Sequence, residues 1–386
     1  MEIIEVDCDW QYPAITEKHA FNRIKSLGIQ NEAVCYVAFP WATYIDRLKN
    51  GKGSEQLIEN LKSKLIKINV VKYKKIITVC QHIRMLEISD LMNQLGITDV
   101  FWSHKVKDQN RKGELKLHPF PLFPTQVSNN AIPPTKDILY SFVGARSNQW
   151  YLTNIRELII DRVENKADVI IKGRDKWHYN DIVYKKQVQG IELEQVLLAE
   201  NDANAKEYLD VMNRSKFALC PSGSGPNSIR LWECVEMGII PVLLADTYAP
   251  PKSLGVFEAC VVTVEESEKG VQSLDKLLRQ ISEDECQQML KQLLALKLLY
   301  GKENFIYDVI QLVMNTNEDT FLDAICMFPK LLAISLSSKI LLGEIKEKDE
   351  IHRYITFIVE NIQDTEKNAI NILQAICKLK GIKFEK

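Results

Sequence analysis

Short apolar runs alternate with amphipathic segments along this chain, in two series split by a proline-rich interval. That alternation constrains the fold more than any other feature of the sequence. In the first series, "AVCYVAF" (33–39) is an apolar run stopped by Pro40 and reads as a buried strand. "SEQLIENLKSKLIK" (54–67) sets Leu57, Ile58, Leu61 and Leu65 on one helical face, with Ser54 placed as an N-cap. "KKIITVCQH" is a second strand, "RMLEISDLMNQLG" a helix ended by Gly96, and "ITDVFWSH" a third strand. Strand, helix, strand, helix, strand predicts a parallel sheet with helices on its faces. The interval "LHPFPLFPTQVSNNAIPPTKD" (117–137) holds five prolines and reads as an extended connection, with a domain boundary near residue 130.

The alternation then restarts. "DILYSFVGA" is a strand entering a glycine turn. "NQWYLTNIRELIIDRVE" is a helix with Leu152, Ile155, Ile159 and Val163 on its buried side. "ADVIIKG", "KFALCP", "IIPVLLAD" and "ACVVTV" are strands, separated by the helices "NAKEYLDVMNRS" and "NSIRLWECVEMG". From about Ser273 the pattern is helical to the end. The expected fold is α/β, with Rossmann-like domains at 1–130 and 131–272 facing a ligand cleft. A helical region, 273–386, braces them or mediates assembly.

Bulk composition removes some functions. Lys and Arg total 49 against 51 Asp and Glu, so no basic excess marks a nucleic-acid partner. Nine cysteines fall without C-x-x-C spacing, several inside apolar runs, as buried free thiols of a reducing compartment would. The acidic start "MEIIEVDCDWQYP" is unlike a secretory signal, and no apolar run reaches spanning length. The expectation is a cytoplasmic protein with room for peripheral contact at the inner face of a membrane.

The chemistry concentrates in "FALCPSGSGPNSIRLWECVEMGIIPVLLAD" (217–246). A loop of small residues follows a strand and opens a helix, where free N–H groups favour an anion. Gly223 lets the backbone approach a ligand, and Ser222 and Ser228 add hydroxyls. Arg230 in the first helical turn opposes the helix dipole by about 0.3–1 kcal/mol, a sign that a diphosphate would reverse. Glu233, three residues on, shares its face and can take both hydroxyls of a ribose. An ordinary i, i+3 ion pair on a solvated helix is the competing reading of those two residues.

These residues resemble the signature of the exostosin family, glycosyltransferase family 47. Pro221 and Gly223 match "P-x-G"; Ser228, Arg230, Leu231, Trp232 and Glu233 match "S-x-R-L-[WF]-E". Gly238, Ile240, Pro241 and Val242 match "G-x-I-P-V", and Asp246 is the acidic residue beyond. "YSFVGARSNQWYLTNIRELIID" resembles, more weakly, the family's "F-x-G" strand and the Arg-containing helix after it. Residues 1–130 and 270–386 carry no such match. The resemblance implies a GT-B fold and transfer with inversion from a nucleotide-sugar, a UDP-sugar by preference. It implies that Glu233 holds the ribose, while Ser228 and Arg230 serve the diphosphate or the helix start.

Further candidates lie at expected strand ends. Arg146, Lys172 and Arg174 would face the donor as cations. No D-x-D stands at a strand end, so no metal and no cofactor are expected, the nucleotide-sugar being a co-substrate. An inverting transfer needs a base; His82, His104 and Asp46 are the candidates, each equally readable as a solvated loop residue. Trp41 and Trp102 would stack an acceptor sugar, or fill the core. The acceptor would be a glycan, or a lipid-linked glycan of surface polysaccharide synthesis. A CMP-sugar enzyme and a non-catalytic subunit that stabilises an active partner remain as rivals, and the helical tail leaves an oligomer open.

Overall fold

The computed structural model describes residues 1–11, 15–128, 135–176, 192, 195–251, 255–315, 320–363 and 366–384. They fall into two compact units: Met1–Pro251 with Val261–Ser282, and Lys252–Cys260 with Glu283–Lys386.

The first unit holds two sheets. One is built from β1 (Glu2–Glu5), β2 (Val34–Ala38), β3 (Lys75–Cys80), β4 (Asp99–Trp102), β5 (Arg111–Lys112) and β6 (Leu115–Pro119), in the order β1-β2-β3-β4-β6-β5. Every neighbouring pair is parallel except β5 with β6. The strand β2 is buried at all five positions, as a strand covered on both faces must be. Its side chains and those of β3 pack with Leu57, Ile58, Leu61 and Leu65 of the helix Glu55–Lys67 into one apolar core. Ser54 precedes that helix but its side chain caps nothing.

The other sheet is wholly parallel: β7 (Ile138–Ala145), β8 (Val169–Arg174), β9 (Ser215–Pro221), β10 (Ile240–Leu244) and β11 (Val262–Thr263), in the order β11-β10-β9-β7-β8. The chain runs from β7 to the β8 edge, then returns past β7 to β9. Winding reverses between β7 and β9, and the loops at their carboxyl ends diverge there into a crevice suited to a ligand.

Several local readings shift. The helix after β7 starts only at Ile155, because Leu152 is held in the preceding turn by donating its N–H to Gly223 O at 2.9 Å. Leu152 is exposed rather than on a buried face. The proline-rich interval contributes β6 before it becomes a connection, and the boundary near residue 130 lies outside the described residues.

The second unit is helical. Its centre is Pro329–Leu342, buried on all sides from Leu331 through Leu341, with Ser335, Ser337, Ser338 and Lys339 among otherwise apolar side chains. Around it pack Glu283–Tyr300, Lys348–Asn361 and Lys367–Leu379. No helix among the described residues is long and apolar enough to cross a membrane.

Candidate functional site

The loop Ser222–Ser228 leaves the end of β9 and opens the helix Ile229–Met237 beside the crevice between β7 and β9. Arg230 is the second residue of that helix and is 7% exposed. It does not pair with Glu233. Nη2 donates to Val143 O at 2.5 Å, Nη1 donates to Leu219 O at 3.2 Å, and the guanidinium lies 4.6 Å from the centre of the Phe142 ring. Gly144 makes room for it, since a Cβ there would stand 2.8 Å from Nη2. Its Nε is buried without a partner.

A second arginine, absent from the sequence candidates, mirrors this one. Arg156 is the second residue of the helix Ile155–Arg162 that follows β7. Its Nε donates to Ser222 O at 2.8 Å and Nη1 to Ala145 O at 3.4 Å; its face stacks 4.8 Å from the Tyr151 ring centre. The missing Cβ of Gly223 leaves space for its Nη2 at 3.0 Å. Burial, with Arg230 near it, holds the Arg156 pKa down at about 10. Each arginine sits against the positive end of a helix dipole, and neither is hydrogen-bonded to a carboxylate among the described residues. The dipole argument that singles out Arg230 applies equally to Arg156.

Glu233 lies behind the loop at 1% exposure. Gln126 N–H donates to Oε1 at 2.9 Å and Tyr208 OH to Oε2 at 2.6 Å. Burial pushes its pKa up, against these hydrogen bonds. The carboxylate thus pins the proline-rich connection to the second sheet's half of the unit. Ser228 takes the N-cap position in extended conformation, with no side-chain cap. The Ser222 hydroxyl turns to Glu266.

The other expected donor cations meet acids. Arg146 pairs with Glu157 and, at 3.0 Å, with Asp161; Lys172 pairs with Glu207, and Arg174 joins Glu207 at 3.0 Å. All lie around the carboxyl ends of β7 and β8, but as neutralised pairs rather than open cations.

The first sheet presents its strand ends to the same loop. Asn227 Nδ2 donates to Ser103 O at 2.8 Å, just past β4, while its Oδ1 accepts from Trp232 Nε1 at 2.9 Å. Gly225 abuts His104 so closely that a Cβ would overlap Nδ1 and stand 2.8 Å from Cγ and Cε1. Arg84 lies 5.5 Å over the Trp150 ring.

Among the base candidates, His104 is buried and its pKa is held down at about 3, chiefly by burial with His82 adding to it. Its Nδ1 has no partner. So weak a proton acceptor does not suit the role expected of it. Asp46 and His82, read separately from sequence, are brought together. His82 Nε2 and Asp46 Oδ1 are 3.2 Å apart, while His82 Nδ1 accepts from Arg84 N–H at 3.1 Å. That contact leaves the ring proton on Nε2, facing the carboxylate. Gln11 Nε2 donates to the other oxygen, Oδ2.

The two tryptophans need correction as sugar platforms. Trp41 is fully buried, donating to Thr78 Oγ1 at 2.8 Å, and Trp102 is 3% exposed, donating to His82 O at 2.8 Å. Stacking requires an open ring face, and both are spent in the core.

Known proteins resemble the chain in this same region. Residues 76–281, more than half of it, match the model of the Exostosin GT47 domain. A probable glycosyltransferase of Arabidopsis thaliana is 28% identical over 123 residues, 31% of this chain and 26% of its own. A probable glucuronosyltransferase of Physcomitrium patens is 43% identical over 79 residues, 20% of this chain and 17% of its own. A probable beta-1,4-xylosyltransferase of Arabidopsis thaliana is 40% identical over 81 residues, 19% and 18%. The chain therefore spans about a quarter or less of the length of these relatives. Among solved structures, a Listeria monocytogenes protein assigned as a UDP-N-acetylglucosamine 2-epimerase overlaps 71% of this chain and 86% of its own, at 9% identity and TM-score 0.34, too loose to carry an argument. The family match runs from β3 to the helix after β11 and takes in both arginines and the loop between them, so the chain belongs to the exostosin GT47 family.

Proposed function

We propose that the chain is an inverting glycosyltransferase that needs no resident metal and moves a sugar from a nucleotide-sugar, a UDP-sugar by preference, to a glycan acceptor of surface polysaccharide synthesis. One observation carries the reading: Arg230, buried, and Arg156, half-buried, flank the loop at the winding reversal, and neither is bonded to a carboxylate among the described residues. A diphosphate between them would complete both arginines and both helix dipoles. It would then leave as a stabilised anion without a metal's charge.

In this reading the acceptor hydroxyl attacks C1 of the sugar opposite the diphosphate. The new C–O bond forms as the bond to the diphosphate breaks, and the diphosphate departs with the electron pair. The hydroxyl proton passes to Asp46. Both His82 ring nitrogens are engaged, whereas Asp46 keeps acceptor capacity beyond His82 and Gln11. His82 and Gln11 orient the carboxylate. The ribose role expected of Glu233 requires the Gln126 N–H to give way, because both carboxylate oxygens are already taken.

The relatives' names make UDP-glucuronate and UDP-xylose the first donors to try. The test offers both to the protein with an array of oligosaccharide acceptors and reads product linkage by NMR. Inverted product that disappears in Arg156→Ala and Asp46→Asn supports the proposal. Nucleotide binding with CMP-sugar turnover only would move the donor class. No nucleotide binding at all would favour a non-catalytic subunit.

A further inference from the structure

A carboxylate in the first sheet's half, outside every role given so far, ties together the backbones that carry Asp46 and His82. Glu17 lies in the first turn of the helix Thr16–Leu27 and is 4% exposed. Both its oxygens accept from Ala42 N–H at 3.2 Å, and Oε1 also accepts from Gln81 N–H at 2.9 Å. Ala42 stands in the first turn of the helix Trp41–Lys49, four residues before Asp46. The Glu17 carboxyl group therefore satisfies an orphan N–H of that helix from another segment. Gln81 is the residue before His82. Its side chain continues the network: Thr16 N–H donates to Gln81 Oε1 at 2.7 Å, Gln81 Nε2 to Gln11 Oε1 at 3.4 Å, and Gln11 Nε2 to Asp46 Oδ2. The bonds of Glu17 and of the Thr16 N–H thus lead to the Asp46–His82 pair, while the Thr16 hydroxyl accepts from Phe123 N–H at 2.9 Å instead.

We propose that Glu17 is a positioning residue that sets the geometry of the Asp46–His82 pair, and through it the base of the transfer. The catalytic half of this statement rests on the reading of Asp46 as base. Glu17 itself is walled off by backbone amides and touches no substrate.

The test compares Glu17→Ala and Glu17→Gln with Ile24→Ala, a cavity on the buried face of the same helix. In protein labelled with 15N histidine, the His82 ring of the wild type should report a proton on Nε2 and none on Nδ1. Glu17→Ala should change that pattern and lower kcat for transfer about 100-fold, with donor KM nearly unchanged, as expected for about 1 Å of misplacement. Glu17→Gln keeps one accepting oxygen and should recover part of both. Ile24→Ala should destabilise the fold yet leave the His82 signals in place. Wild-type His82 signals in Glu17→Ala, or equal changes in Ile24→Ala, would overturn the proposal. If His82 responds as expected while Asp46→Asn transfers sugar at the wild-type rate, the assignment of Asp46 as base fails and the catalytic role of Glu17 falls with it.

Discussion

Substituting Gly225 tests the packing of the two sheets' strand ends against each other. Its φ is not in the left-handed region, so alanine meets no backbone penalty; all the cost comes from contact. The added methyl would overlap His104 Nδ1 and stand 2.8 Å from Cγ and Cε1, distances that Cβ atoms do not adopt. His104 cannot swing aside freely, being 8% exposed. Forcing one methyl into such a site costs about 1–3 kcal/mol. A double-mutant cycle isolates the term: Gly225→Ala, His104→Ala and both together, by urea unfolding at pH 7.5. His104→Ala costs something alone through its cavity, but it removes the ring the methyl hits. Gly225→Ala should therefore lose about 1–3 kcal/mol in the wild-type background and close to nothing in the His104→Ala background. An equal cost in both backgrounds, or none in either, would refute the contact.

Other consequences concern pH and single contacts. Burial pushes the Glu17 pKa up to about 8 and holds that of His104 down at about 3. Folded Glu17 keeps a proton that the unfolded chain releases above about 4.5, so its contribution is fully present below that pH and is lost as pH rises to 8. Folded His104 lacks a proton that the unfolded chain binds below about 6.5, so its effect runs the opposite way, between 6.5 and 3. From pH 6.5 to 8 only Glu17 of these two changes, and wild type should lose about 2 kcal/mol relative to Glu17→Gln in urea melts; a constant difference would contradict the shift. The groups facing Glu17 include Asp46, Cys80 and Tyr36, so the comparison with Glu17→Gln, not the raw slope, is the readout. Tyr208→Phe removes the hydroxyl on Glu233 Oε2 and should cost about 1–3 kcal/mol by deleting a hydrogen bond to a buried carboxylate, read by denaturant midpoint. Arg156→Lys should weaken UDP binding nearly as much as Arg156→Ala in calorimetry, because an ammonium cannot hold Ser222 O and a phosphate in the guanidinium's planar fork.

Much of this architecture could be read from residue patterns, and the parts that could not share a cause. Runs such as "VCYVA" and "IPVLL" are apolar at every position, which only a strand buried on both faces explains, and both are such strands. β1 and β6 escaped because "EIIE" and "LKLHP" are short and half polar, and pairing with a neighbour decides their state. The loop and Arg230 were visible through glycine spacing and the dipole conflict. Arg156 was hidden by a helix assigned about two turns too early, which placed it mid-helix rather than at a positive end. The environment of His104, and the pairing of Asp46 with His82, depend on contacts 36 and more residues apart that no local pattern carries. Trp41 and Trp102 show the same limit, since an indole after a strand reads alike whether it faces a cleft or the core.

The central claim is that Arg156 and Arg230 hold the diphosphate of a nucleotide-sugar. The most direct measurement is the unfolding midpoint of wild type, Arg156→Ala and Glu233→Gln against UDP, GDP, CMP and ADP. Glutamine is the better probe at 233 because alanine would strand both the Gln126 N–H and the Tyr208 hydroxyl. A ligand at about a hundred times its Kd adds roughly 2.7 kcal/mol of stability. The account predicts that UDP raises the wild-type midpoint, that Arg156→Ala abolishes the rise, and that Glu233→Gln reduces it. A midpoint that no nucleotide moves, or a UDP effect that survives in Arg156→Ala, would contradict it.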